Sequence, residues 1–485
     1  MRAGRSLSIA ALAALLGACA VGPEYRKPAL EMPTAWKVEA PFREGTPNDG
    51  APKGPWWQRY GDSQLDALEQ KALKDSPTLA IANARLAQAR ALLDAASASM
   101  FPQLSGGIRD NRLRISANRP LTNPNAPNFA ITQNDYVGVL TAGYEVDLFG
   151  RVQRSVEGAR ASLGQSAADL ENVRLILTAD LATAYFNLRA VDIELDVLAR
   201  SLDLQRRSLG LATTRRDLGA ASGLDVAQQQ ALLDSTLTQV DLLRRTRGQF
   251  ENAIATLTGT PAPQFSLAPS VKILTPPPVP TGVPSDVLER RPDVAAAERA
   301  MAVANAQIGV AQAAYYPSIN LGATYGVESR TLPTLFDAPS LIWSLGFSVL
   351  QPIFDGGRIK ANIANAGAGY DATVANYRRV VLTAMQEVED GINGSAALER
   401  AHTQALKAIQ SATVVYELAN TRYEGGVATS LDVIVAQQGL LNSERLAAQL
   451  AGQRLLTSVF LVKALGGDWV PPKTAAADQP ATAVK

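Results

Sequence analysis

Apolar side chains return at steps of three, four or seven through Val152, Val156, Ala159, Leu163, Leu170, Val173, Leu177, Leu181, Leu188, Leu195 and Leu202. A matching series runs through Ile359, Ile363, Ala366, Tyr370, Tyr377, Val381, Ala384 and Val388. That spacing lays one apolar face along an α-helix. About 60 residues of it rise roughly 90 Å at 1.5 Å per residue, several times an ordinary globular helix, which predicts coiled-coil packing. Turns around Gly219 and Gly425-Gly426 reverse the chain, and a return helix of about 33 residues follows each. Ahead of each long helix stands a shorter one of about 24 residues, such as Leu79 to Ser99, which stops before Phe101-Pro102 or Tyr316-Pro317. The two short helices stacked end to end have about the length of the long one, so they can run beside it.

Between the short helix and the long one the period changes to two. Ile319, Leu321, Ala323, Tyr325 and Val327 alternate with Ser318, Asn320, Gly322, Thr324 and Gly326. Leu341, Trp343, Leu345, Phe347 and Val349 do the same, and Tyr136 to Val146 follows less cleanly. Alternation of this length, apolar outward and small or polar inward, is the mark of an outer-membrane barrel strand. The whole script is written twice, with a period of about 210 residues. Ala89–Leu104 parallels Ala304–Ile319, and Leu148-Phe149-Gly150-Arg151 parallels Ile353-Phe354-Asp355-Gly356-Gly357-Arg358. Ser222–Val226 parallels Thr429–Val433, and Ala255–Gly259 parallels Lys463–Gly467, while the proline-rich Pro276–Pro284 links the copies. Two strands per copy make four. The smallest membrane barrels have about eight, and unpaired edges in lipid cost several kcal/mol per unsatisfied backbone group. Two or more chains must therefore share one barrel.

Composition then removes alternatives. The 485 residues carry a net charge of +1 and only 19% charged side chains, which leaves no basic footprint for nucleic acid. One cysteine excludes an internal disulfide and a cysteine-based zinc site, and one histidine excludes a paired-histidine metal site. His402, in a helical stretch beside Glu399 and Arg400, reads as a surface residue rather than a catalytic base. No phosphate-binding glycine motif occurs. These points weigh against an enzyme and predict no metal and no cofactor.

The chain opens with Arg2 and Arg5, an apolar core from Leu7 to Leu16, and Leu16-Gly17-Ala18-Cys19. That is a secretory signal over residues 1–18 ending in a lipobox-like tetrapeptide, which predicts a covalent lipid on Cys19. Each buried CH₂ is worth about 0.8 kcal/mol, so two or more acyl chains anchor a protein stably. Ala20 rather than Asp after the cysteine points to the outer membrane by similarity to such lipoproteins.

Further short motifs carry a family resemblance. They are Gly22-Pro23-Glu24-Tyr25-Arg26-Lys27-Pro28, Trp56-Trp57, Asp147–Arg151, Val283–Asp293, Pro352–Arg358 and Ala464–Trp469. Residues 19 to about 469 resemble the outer-membrane efflux factors, the TolC-like family, and its OprM/NodT lipoprotein branch. The resemblance implies a membrane α+β fold: a trimeric transmembrane β-barrel, four strands per protomer, continued by a long periplasmic α-helical barrel. It implies this division: 1–18 signal, 19–75 a lipid-anchored segment packed on the equatorial region, 76–268 the first repeat, 269–292 a linker, 293–467 the second repeat, and 468–485 a tail. Expected partners are two further copies, a periplasmic adaptor, an inner-membrane pump of the RND type and outer-membrane lipid.

The candidate site is the pair of helix-turn-helix tips. Asp225 and Asp432 lie just past the turns, where a trimer gathers six carboxylates near the axis as a gate that concentrates cations. Equally, they read as helix-start carboxylates favoured by the macrodipole. Asp432 aligns with the first aspartate of the family constriction, but Val435 stands at the second and Ala428 replaces the family's tip arginine. Gly219, Ala221, Ser222, Gly425, Gly426 and Thr429 resemble the adaptor-contacting tips. Arg290-Arg291-Pro292-Asp293 reads as structural rather than anion-binding. The function this predicts is a passive exit duct for small molecules such as drugs in a tripartite efflux pump. Protein export, metal efflux and a non-transporting coiled-coil lipoprotein are the alternatives.

Overall fold

The computed structural model describes residues 20–27, 55–120, 127–277 and 291–467. The signal stretch, Cys19, positions 283–290 of the Val283–Asp293 motif and the tail after residue 467 lie outside the described residues. Seven α-helices and four strands are described. They are α1 (Ser63–Asp75), α2 (Pro77–Ala98), β1 (Gln103–Ile115), β2 (Ile131–Val146), α3 (Arg151–Asp217), α4 (Gly223–Leu257), α5 (Pro292–Ala313), β3 (Ser318–Ser329), β4 (Leu341–Leu350), α6 (Arg358–Glu424) and α7 (Ser430–Ala464). The two repeats match element for element: 22 residues in α2 and α5, 67 in α3 and α6, 35 in α4 and α7. Each long helix exceeds the periodicity estimate, because helical geometry continues to the glycine turn past the last regular apolar position. The two short helices are correspondingly shorter together than the long one.

The described residues divide into two compact units, one of 20–27, 86–120, 127–165 and 297–377, the other of 55–85, 166–277, 291–296 and 378–467. The first holds a four-stranded antiparallel sheet in the order β1-β2-β3-β4. Its register pairs Leu140 with Tyr325 and Tyr325 with Trp343, so apolar residues of neighbouring strands share a face. On that face Leu321, Tyr325, Trp343, Leu345, Phe347 and Val349 are 44–78% exposed. The opposite face presents Thr141, Asn320, Thr324, Ser344 and Ser348. β1 departs from the alternation. Its apolar-face positions opposite β2 are Leu104, Gly106 and Ile108, then Asp110, Arg112 and Arg114.

Also in this unit, residues 20–27 form a strap. The Val21 N–H donates to the Phe149 carbonyl at 3.2 Å, and Arg154 donates to the Val21 and Gly22 carbonyls. Asn305 donates to the Pro23 carbonyl, and Lys27 pairs with Glu298 at 3.0 Å. Gly309 on α5 lies so near the Arg154 side chain that a Cβ would sit 2.8 Å from it, a close approach that only glycine permits.

The second unit is helical. Val197, Leu198, Leu202, Leu233, Val240 and Leu441 join α3, α4 and α7 in one apolar cluster, and Val388, Ile392, Leu461 and Ala464 join α6 to α7. The short turn Trp56–Tyr60 supplies an aromatic cluster: the Tyr60 ring lies 4.8 Å from Phe186 and its hydroxyl 2.8 Å from that of Ser458. Asp62 caps α1 through the Gln64 and Leu65 amides and accepts from the Tyr185 hydroxyl at 2.8 Å. Beneath these, Arg189 and Arg247 both bond the buried Asp192 at 2.7 Å, and donate to the carbonyls of Ala268 and Leu267 respectively. Here buried charge is paired and hydrogen-bonded, the condition under which it is tolerated.

Candidate functional site

The two hairpin tips are built alike. α3 ends with Gly219 at φ 78°, with the Gly219 N–H on the Arg216 carbonyl (2.9 Å) and the Ala220 N–H on the Arg215 carbonyl (2.7 Å). α6 ends with Gly426 at φ 76°, Gly426 bonding Tyr423 (3.0 Å) and Val427 bonding Arg422 (2.9 Å). Both are Schellman closures, in which a left-handed glycine lets the last carbonyls be satisfied. Three residues on, Ser222 and Thr429 cap the return helices, and Asp225 and Asp432 complete capping boxes by accepting from the Ser222 and Thr429 amides at 2.9 and 2.8 Å.

The predicted site residues therefore fall at defined places. Gly219 and Gly426 are the turn glycines, and Ser222 and Thr429 are the N-caps. Ala221 and Gly425 lie in the turns without a left-handed backbone. Asp225 and Asp432 occupy the same position of the same motif, with one difference. The second oxygen of Asp225 accepts from the Ser430 hydroxyl at 2.5 Å, tying the first hairpin to the second. By the repeat, the residue facing Asp432 would be Gly223, which has no hydroxyl, and the described hydrogen bonds of Asp432 use one oxygen only. The bond from Ser430, then those from the Ser222 amide and hydroxyl, hold the Asp225 carboxyl below its ordinary range. The Thr429 amide and then its hydroxyl do the same for the exposed Asp432.

Sequence reasoning missed Arg215. Its guanidinium donates to the Tyr423 and Glu424 carbonyls at 2.9 and 3.0 Å and covers the Tyr423 ring at 4.4 Å. A cation thus sits on the C-terminus of α6, where the helix dipole favours it. Nothing local signals this contact, because the partners are some two hundred residues apart in the chain. Leu218 (78% exposed) and Leu224 were missed too, although large apolar residues flanking a glycine turn are a readable signal; Val427, within the second tip stretch, is exposed as well. Capped amides, small turn residues and bare aliphatic side chains together suit the docking of another protein.

Two residues weighed for chemistry are otherwise engaged. Arg291 is buried and spends four of its five N–H donors on Asp293, Glu387 and the Ala464 carbonyl, which leaves no anion site. His402 is partly buried rather than on the open surface, with its Nδ1 3.1 Å from an Arg454 nitrogen. Burial and then the Arg454 charge lower its pKa from the ordinary histidine value. Among the described residues no helix is long and apolar enough to cross a membrane.

Comparison with known proteins agrees with this geometry. The family model described as outer membrane efflux protein matches residues 68–260 and 283–467, one match per repeat. The pyoverdine export outer membrane protein OpmQ of Pseudomonas aeruginosa is 32% identical over 466 residues, 96% of this chain and 97% of that protein. The toluene efflux pump outer membrane protein TtgC of Pseudomonas putida is 31% identical over 469 residues, 96% of this chain and 95% of that protein. Among solved structures, the outer-membrane channel OprN superposes with a TM-score of 0.86 at 28% identity, covering 93% of this chain and all of that one.

Proposed function

From the premise that the chain belongs to the outer membrane efflux protein family, with the fold of its trimeric β-barrel and helical-barrel channels, and is the outer-membrane exit duct of an efflux pump reaching into the periplasm, we propose that it works as a homotrimeric, lipid-anchored passive conduit with no chemistry of its own. The lipid sits on Cys19, in the lipobox-like tetrapeptide. Twelve strands, four from each copy, are enough to close a barrel, which four are not. Energy comes from an inner-membrane pump, of the RND type, joined to the duct by a periplasmic adaptor.

The observation that carries this reading is the sheet: one face apolar and exposed, the other small and polar, and both edges open. Such a sheet is stable in lipid only when its edges are paired. The tips supply the second half of the role, since Leu218, Leu224 and Val427 stand exposed on well-capped turns. The cargo class is small organic molecules, as the names of the relatives suggest: pyoverdine export for one, toluene efflux for another. The partner pump selects among them.

The test is capture at the tip. Ala220 is exposed and its side chain takes no part in either cap, so Ala220→Cys accepts a photo-crosslinker without loosening the turn. Capture of a periplasmic adaptor in cells is the expected result. Capture of neighbouring copies alone, in cells whose efflux is active, would refute adaptor docking at this tip.

A further inference from the structure

The lipid-facing side of the sheet ends in charge on one strand only. Each strand meets a helix at one end: Gln103 follows α2, Val146 precedes α3, Ser318 follows α5 and Leu350 precedes α6. The helices reach into the periplasm, so Ile115, Ile131, Ser329 and Leu341 mark the outer ends. On β1 the lipid-facing positions, read outward, are Leu104, Gly106, Ile108, Asp110, Arg112 and Arg114. From Leu104 to Arg112 is about 27 Å along the strand, or about 20 Å along the membrane normal at a tilt of about 40°. Arg114 adds about 5 Å. The apolar band of a barrel is about 25 Å tall, so both guanidinium groups stand at its outer rim.

These two arginines lack an anion. On the lumen face of the same strand Arg109 has one, since it donates to Asp135 at 3.1 Å. Arg112 and Arg114 are exposed and make no ion pair or side-chain hydrogen bond among the described residues, Asp110 included. Opposite them on β2 stand the uncharged Asn134 and Thr132, and apart from Asp110 no other charged residue faces lipid from the four strands. Two cations about 7 Å apart on one face of a strand repel each other, and an anion bridging them reverses the sign. Tyr136 lies on the same face, one row nearer the membrane. Its hydroxyl oxygen accepts from the Asn134 amide at 3.2 Å, which leaves its own O–H free to donate.

We propose that Arg112 and Arg114 bind the anionic phosphate groups of outer-leaflet lipid and so fix the rim of the barrel at the headgroup layer. Guanidinium suits this ligand because its planar fork of N–H donors matches phosphate oxygens two at a time. The occupant is a lipid rather than a protein or a free ion, because the surface below the pair is one that acyl chains cover. Ile108 is 95% exposed there, and the next row inward carries Leu140, Tyr325 and Trp343 on the neighbouring strands, all exposed. A phosphate held by the arginines keeps its own acyl chains against that belt. The barrel fold supplies only the identity of the lipid-facing side; the site adds a specific lipid to the conduit.

The test uses the full-length protein as its native oligomer in a phosphate-free detergent, with lipid binding read by native mass spectrometry and by the thermal unfolding midpoint. Three probes are compared: lipid A, lipid A stripped of its phosphates, and inorganic phosphate. Lipid A alone is expected to stay bound and to raise the midpoint. Arg112→Gln and Arg114→Gln are each expected to weaken lipid A binding at least about tenfold, the share of one hydrogen bond between charged groups. Arg112→Lys with Arg114→Lys keeps the charge and is expected to retain most of the binding, which separates loss of the site from loss of the fold. Arg109→Gln, on the same strand but facing the lumen, is expected to bind lipid A as the native protein does. Equal binding of the stripped lipid, or native-like binding by the double glutamine variant, would overturn the proposal. An equal effect of inorganic phosphate would replace the lipid by a free ion, and an equal loss in Arg109→Gln would reduce the site to overall charge; either overturns it too. In all these cases an oligomer that still forms and conducts in planar bilayers leaves the exit duct standing.

Discussion

Glu69 is the most consequential single residue outside the tips. It is 0% exposed on α1, and neither carboxylate oxygen has a hydrogen-bond partner among the described residues. Burial, and then the nearby Asp66 charge, push its pKa up to about 9. A carboxyl in that position stays protonated in the folded protein at neutral pH, whereas in the unfolded chain it ionises near its ordinary value. The unfolded state therefore releases a proton that the folded state keeps, and stability falls as pH rises from about 4.5 to about 9. Glu69→Gln removes this liability. It is expected to stabilise the second unit by on the order of 2 kcal/mol near pH 8, with little effect near pH 4.5. Thermal unfolding of the two proteins across that range measures it; parallel curves would mean that Glu69 is solvated. Arg291 makes the opposite case. Arg291→Ala leaves Asp293 and Glu387 unpaired beside a buried junction, and is expected to cost about 2–3 kcal/mol, less than for fully buried partners because both carboxylates are partly exposed. Unchanged denaturant midpoints would contradict it.

The elements differ in how readable they were. The long helices, the return helices and three of the strands follow from periodicity alone, because each buries or bares one face along its whole length. β1 did not follow. Arg109, Asp110, Arg112 and Arg114 break its alternation, since only its first half belongs to the apolar belt and its register is imposed by β2. At the tips, the glycines and the Ser-x-x-Asp and Thr-x-x-Asp spacings were legible as turn and helix start. The Arg215 staple and the Asp225–Ser430 bond were not, because they join segments that only the fold brings together. The caps themselves are testable. Ser222→Ala or Thr429→Ala is expected to cost about 1 kcal/mol locally and to speed amide exchange over the first turn of α4 or α7 severalfold. Because both carboxylates titrate below their ordinary range in the folded tip, the capping contribution is whole above pH 4 and fades as pH falls through the folded values. Protection of the first-turn amides, measured against their intrinsic exchange rate at each pH, should accordingly fall in acid in the native protein and hardly change with pH in Asp225→Ala or Asp432→Ala, which lack the titrating carboxylate.

At the scale of the whole molecule, the duplication is exact in the lengths of the paired helices but not in what each copy is left to do. The first copy spends its contacts inside the chain: Phe149 on Tyr316, Asp225 on Ser430, Arg215 on the end of α6. The second copy's equivalents, Phe354, Asp432 and Arg422, point to surfaces that the same chain does not fill. This asymmetry bears directly on gating. Asp225 and Asp432 were expected to share a ring of six carboxylates, yet Asp225 has both oxygens engaged in capping and in the link to Ser430, while Asp432 is fully exposed with one oxygen uncommitted among the described bonds. If a carboxylate ring selects ions at the mouth, three copies of Asp432 supply most of it, and Asp225 acts chiefly by holding the hairpins together. Asp432→Asn is then expected to lower the cation preference of single channels in planar bilayers with little change in open probability. Asp225→Asn, which weakens the bond to Ser430, is expected to raise open probability with little change in selectivity. Reversal potentials in a salt gradient read the first quantity and single-channel records the second. Equal effects of the two substitutions on selectivity would restore the six-membered ring, and no effect of Asp432→Asn would remove the carboxylates from ion selection and leave them as helix caps.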